Sequence, residues 1–207
     1  MKLAFSTLGC PDFSWTDIYT MAKDIGFHGI EVRGIGAELS AVNCKPFCGE
    51  QLQKTVEKLQ RMRLEIPCLS SGISLKKQET RAQAQEEILA YIDLAAKLGT
   101  PYIRILADEK ANVDGAVDDA EVIEALRPLI AAAEEKKVTL LIETNGVYAD
   151  TKRLCELLNS LASDAVGALW DIHHPYRFIG TNGSKSGCIH QIYACEGFRH
   201  KRREALL

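Results

Sequence analysis

The chain has 207 residues, 46% of them hydrophobic and 26% charged, with a formal net charge of −3. That is an ordinary composition for a globular protein, and the acidic balance excludes a basic field for nucleic acid or for an anionic membrane surface. No apolar run reaches the roughly 18 residues that a bilayer span requires, and the N-terminus has no signal-peptide layout. The seven cysteines are odd in number and scattered, so a reducing, cytoplasmic setting is expected, with no membrane and no nucleic acid as partner.

In chain order, Leu3–Phe5 reads as a first short strand. Ser14 and Asp17 resemble a capping box, and Ile18, Met21, Ala22 and Ile25 follow as a helical stripe. Gly29–Val32 is a second apolar run; Leu52, Val56, Leu59 and Met62 make a second stripe, and Glu65–Leu69 a third run. Cys44 and Cys48 lie close together, but no second Cys or His pair completes a zinc pattern. Ile88, Ile92, Ala95 and Leu98 form a third helix closed by Gly99 and Pro101, ahead of the apolar run Tyr102–Leu106. Ala111–Asp119 has turn chemistry and reads either as a lid on the active-site side or as a plain solvated loop. Val122, Leu126, Leu129 and Ala133 make the fourth helix, ending in Lys136 and Lys137, whose charge suits the helix dipole. Val138–Ile142, a helix on Leu154, Leu157, Leu158 and Leu161 started by Asp150 or Thr151, and Val166–Trp170 complete the regular part.

Strand–helix alternation with nearly continuous apolar strands implies parallel strands buried on both faces, and an open doubly wound sheet or a barrel satisfies that equally. No G-x-G-x-x-G follows the first strand; Gly34-Ile35-Gly36 lies after the second and lacks the third glycine. Polar residues recur at the strand C-terminal ends: Ser6 and Thr7, Glu31 and Arg33, Ser70 and Ser71, Arg104 and Asp108, Glu143, then Asp171. In a barrel these ends form one ring at the mouth, so the expected fold is α/β, a parallel (β/α) barrel of TIM type. Such a barrel takes roughly 250 residues, so about six of its eight βα units are expected here.

Two strands that each deliver a carboxylate at the same end, Glu143 and Asp171, can build a metal site if the carboxylates converge. The bland alternatives are an ordinary polar strand end for Glu143 and a helix cap for Asp171. His173 reads as packing rather than as a ligand. Arg104 alternates within an apolar strand, so it faces either an anion inside the barrel or a buried acid, with pairing the favoured reading. Glu31 and Arg33 either pair with each other or meet substrate; Glu31 and Arg104 are carried forward as candidate substrate-binding residues.

Four segments resemble the sugar phosphate isomerase/epimerase family, the xylose isomerase-like barrels. They are Phe5-Ser6-Thr7-Leu8-Gly9-Cys10-Pro11, Gly26-Phe27-His28-Gly29-Ile30-Glu31-Val32-Arg33, Ile142-Glu143-Thr144-Asn145 and Trp170-Asp171-Ile172-His173-His174. The resemblance covers roughly the first 180 residues. It implies a divalent metal held by Glu, Asp, His and Glu from four barrel positions, with Glu143 the first ligand and Asp171 the second. It also implies that Glu143 moves protons and that His174 contacts substrate. The implied substrate is a sugar or sugar phosphate, isomerised or epimerised beside its carbonyl through an enediolate. Manganese, magnesium or cobalt suits such a ligand set, and zinc is also compatible with it. A related endonuclease of the same barrel class would need more His ligands and a basic groove, which this sequence lacks.

The expected domains are therefore a partial barrel over residues 1–180 and an atypical tail over 181–207. The tail opens with Thr181-Asn182-Gly183-Ser184-Lys185-Ser186-Gly187 and ends basic, without a further ligand-bearing strand. Read one base later, codons for this tail permit a helix end followed by a strand reaching His-Val-Lys-Asp, the unit the family has next. A frameshift is one explanation of the tail and a natural surface segment the other. Without the last two strands, the first and sixth strands are expected to have open edges suited to self-association. Two of four ligands are then missing, and the alternative to an enzyme is a non-catalytic barrel remnant that mediates association.

Overall fold

In the computed structural model, residues 2–75, 80–108, 116–179 and 192–193 are described. Seven strands alternate with six helices: β1 (Ala4–Ser6), α1 (Trp15–Ile25), β2 (Gly29–Glu31), α2 (Gly49–Met62), β3 (Cys68–Ser74), α3 (Arg81–Leu98), β4 (Tyr102–Leu106), α4 (Asp119–Lys136), β5 (Thr139–Glu143), α5 (Thr151–Leu161), β6 (Val166–Leu169), α6 (His173–Ile179) and β7 (Ile192–Tyr193). Every strand is parallel to its neighbour and the spatial order is the sequence order. The bridges Gly29–Glu65 and Val32–Leu69 join β2 to β3, so the β1–β2 pair continues into the five-stranded sheet. Sequential parallel order with helical returns is the arrangement of a (β/α) barrel, here incomplete among the described residues.

The helices start and stop where local chemistry directs. The Ser14 hydroxyl accepts the Asp17 amide while the Asp17 carboxylate accepts the Ser14 amide, so α1 opens on a capping box. Gly99 ends α3 at φ 69°, a left-handed conformation that costs a glycine little. The core lies between strands and helices. Ile103, Ile105, Leu140, Leu141, Ile142 and Ala168 are fully buried on the strands. Facing them are Ile88, Ile92 and Ala95 of α3, Val122, Leu126 and Leu129 of α4, and Leu154 of α5.

Several expectations need correcting. The third strand does not end at Leu69 but runs from Cys68 to Ser74, because Ser70 and Ser71 are polar yet buried inside it. Asp119 belongs not to a loop but to α4, and the Asp118 carboxylate caps that helix by accepting the Ala120 amide. Of the rest of the expected lid, 116–117 have no regular secondary structure and 111–115 lie outside the described residues. The sixth strand is not bare, since Ala168 and Leu169 pair with Ile192 and Tyr193. Among the described residues β1 pairs on one side only, with β2. No helix is long and apolar enough to cross a membrane among the described residues.

Candidate active site

The strand ends do converge. Glu143 closes β5, and the parallel register sets it opposite Leu169 at the end of β6, two residues before Asp171. Thr144, fully buried, ties the two ends together. Its amide donates to the Leu169 carbonyl at 2.9 Å, its Oγ1 accepts the Asp171 amide at 2.8 Å, and its hydroxyl donates to the Asp171 carbonyl at 3.3 Å. Asp171 Oδ1 then accepts the amides of His173 at 2.7 Å and His174 at 3.0 Å, so Asp171 is also the cap of α6. The cap reading of Asp171 is thus observed; capping engages one carboxylate oxygen and leaves the other.

As a result, ligand atoms of Glu143, Asp171 and His174 all lie within 4.8 Å of one another, on partly buried side chains. Two carboxylates and one imidazole make an oxygen-rich donor set that fits a divalent cation such as manganese, magnesium, cobalt or zinc. His173 contributes nothing to the group. It is exposed rather than packed, with its ring edge-on to that of His174 at 5.6 Å.

Beside this group lies an ion pair. Arg104 Nε donates to Glu143 Oε2 at 2.5 Å, with both side chains largely buried, and Arg104 Nη1 donates to the Ser71 carbonyl at 2.8 Å. Of the two sequence readings for Arg104, pairing with a buried acid is therefore the one observed. Glu31 sits further along the same mouth, held by Ser70 and Ser6, whose hydroxyl lies 3.4 Å from Oε1. Burial pushes the Glu31 carboxyl up. The Ser70 hydrogen bond and the Arg104 charge oppose that shift, and the negative charge of Glu143 adds to it. Glu31 and Arg33 do not pair with each other: Arg33 turns away and donates from Nη1 to the Leu39 carbonyl at 2.5 Å.

Sequence reasoning missed the supports. Buried Asp108 accepts the Val147 amide at 3.3 Å, fastening the segment that leaves Glu143. Tyr148, also fully buried, donates its hydroxyl to Asp119 Oδ1 at 2.8 Å, and Arg153 donates to both Asp119 oxygens. Burial, and then Asp119, push the Tyr148 phenol upward. Only the position of Asp108 just beyond an apolar strand hinted at such a role; the Tyr148–Asp119 contact joins residues far apart in sequence.

The family model described as xylose isomerase-like TIM barrel matches residues 19–195. The chain belongs to that family. The match runs past Gly180 and includes β7. No curated protein matches the chain significantly in sequence. Solved structures resemble it in fold. One is the IOLI protein with a bound zinc atom: TM-score 0.68, 16% identity, 84% of this chain and 64% of that one. A Mycobacterium smegmatis xylose isomerase-like TIM barrel protein in complex with magnesium gives TM-score 0.65 at 18% identity, over 85% of this chain and 66% of that one. The 3-keto-D-glucoside 4-epimerase YcjR from E. coli gives TM-score 0.66 at 15% identity, over 94% and 78%. The chain thus spans just under two thirds of the length of the first of these.

Two predictions follow from the site. Thr144→Val keeps the shape but leaves the Asp171 amide without its acceptor, which costs about 1–3 kcal/mol. Chemical denaturation is expected to show that loss, and Thr144→Ser to recover most of it; equal stability of all three proteins would mean that the tie is unimportant. For Glu31, a folded pKa above the unfolded one means the native state binds more protons between the two values. Stability therefore falls as pH rises through that window, which opens at the ordinary carboxylate value of 4.5 and extends upward from it. Glu31→Gln is expected to remove this fall, so that the variant gains on the wild type above the window and not below it; parallel stability–pH curves would contradict the assignment.

Proposed function

We propose that this mouth is the remnant or working half of a metal-dependent sugar, or sugar phosphate, isomerase or epimerase acting in the cytoplasm. The observation that carries the reading is the convergence of Glu143, Asp171 and His174. A divalent metal, when bound, supplies Lewis-acid stabilisation to the charge that develops on the sugar's carbonyl oxygen. Glu143 and Asp171 would hold it. Glu143 would also take the proton from the carbon beside the carbonyl and return it to the neighbouring carbon, the exchange that passes through an enediolate. His174, Glu31 and Arg104 would line the substrate's approach: His174 from α6, Glu31 from β2 and Arg104 from β4.

On this reading Glu143 is the carboxylate assigned that role. One base suffices for isomerisation, in which the proton leaves and returns on the same face. Epimerisation needs a second group on the opposite face. Proton exchange is the direct test. The full chain, incubated with Mn²⁺ and a panel of ketoses in D₂O, is expected to place deuterium beside the carbonyl, and chelator or Glu143→Gln should abolish it. Absence of exchange with every sugar would instead favour the non-catalytic reading, in which the β1 edge, paired on one side among the described residues, associates with a second copy.

The tail belongs to this proposal too. In the frame read one base later, the codon spanning Tyr193 and Ala194 can encode Met and the next His, so the His-Val-Lys-Asp strand would start right at the end of β7. We attribute residues from about 181 onward to a shifted reading frame. Sequencing the gene from the Gly180 codon is expected to reveal a single inserted or deleted base whose repair reads through His-Val-Lys-Asp; a gene without such a frame makes the tail native.

A further inference from the structure

We propose that His174 is itself a metal ligand in this chain, the third beside Glu143 and Asp171, and not solely a substrate contact. This rests on the metal-dependent reading above and goes beyond it, because the family resemblance gives His174 to the substrate. Three observations carry it. The imidazole offers a nitrogen within 4.8 Å of oxygens from both carboxylates, and this is the only such group among the described residues. The backbone of His174 is tied to one of its fellow ligands, since the His174 amide donates to Asp171 Oδ1 at 3.0 Å and Asp171 is held in turn by Thr144, which sets the ring's point of attachment beside that carboxylate. Finally, Arg104 already engages Glu143 Oε2 at 2.5 Å and offsets part of the negative charge that would attract a cation. A two-carboxylate pair so compromised binds a divalent ion weakly, whereas a neutral imidazole adds a donor with no like-charge repulsion. His173, its neighbour, is exposed and outside the group, which supplies an internal control.

Manganese binding by the full chain, read from loss of the free Mn²⁺ electron paramagnetic resonance signal, tests this without any turnover. Wild type should bind, Glu143→Gln should not, His173→Ala should bind like wild type, and His174→Ala should bind roughly tenfold or more weaker. Thermal melting without metal identifies a variant that has merely lost its fold. A readout needing no fold-perturbing variant is ring-nitrogen NMR of ¹⁵N-histidine protein with Zn²⁺, in which the His174 ring should show the shift of a ligated nitrogen. Wild-type affinity in His174→Ala, or an unshifted His174 ring in protein that binds metal through Glu143, overturns the proposal and leaves the two-carboxylate centre standing. No manganese binding by wild type overturns both.

Discussion

The hydroxyl of Thr144 is where strand register becomes site geometry. Beyond Leu169 the chain has left the sheet, and β6 is only four residues long. Nothing in the ladder fixes where Asp171 goes. Thr144 does so by engaging both the amide and the carbonyl of Asp171 from the neighbouring strand, in a position with no access to water. A hydrogen bond made there is hard to replace, since its loss leaves a buried donor unpaired. From that fixed Asp171 the first turn of α6 is hung through Oδ1, and with it His174. Glu143, one residue before Thr144, is positioned by the same strand. The three ligand candidates thus descend from one side chain and one register.

Arg104 performs the complementary electrostatic task. The mouth gathers Glu31 and Glu143 in a partly buried space, where the negative charge of Glu143 raises the cost of ionising Glu31. A single guanidinium meets this crowding. It is itself fixed at both ends: Nη1 donates to the Ser71 carbonyl, and the Ser71 hydroxyl donates to the Arg104 carbonyl. The fork geometry of an arginine lets it orient Glu143 through one oxygen while leaving the other, which a lysine's point charge would not do as well. For Glu31 burial outweighs the help from Arg104 and the serine hydroxyls, so its carboxyl stays pushed upward.

The helices were legible in the sequence because their caps are local: Ser14 with Asp17, Gly99, and Asp150, whose carboxylate accepts the Lys152 amide. The buried strands β4, β5 and β6 were legible as continuous apolar runs, and with them Glu143 and Asp171 at their ends. Illegible were the features that depend on partners far along the chain. Ser70 and Ser71 look like a strand terminus, yet they are interior because Arg104 and Glu31 satisfy their hydroxyls from other strands. Asp119 looks like loop chemistry but is the acceptor for Tyr148 and Arg153. Thr144 carries no signal of its own, being a common residue beside a conspicuous one. The two-residue β7 lies in a stretch whose sequence has no strand pattern, and its place is defined by pairing with Ala168 and Leu169 of β6.

On the proposed reading, the distribution of these groups around the mouth bears on the chemistry it can perform. Glu143, Asp171 and His174 come from two adjacent strand ends, and Arg104 and Glu31 from β4 and β2 on one side of them. A sugar bound here would meet its proton-transfer group from one face. A base that can reach only that face can move hydrogen between neighbouring carbons, because departure and return share a side. It cannot invert a single carbon, which requires delivery from the other side. On that reading Glu143 alone would serve isomerisation, whereas epimerisation would call for a second group on the opposite face.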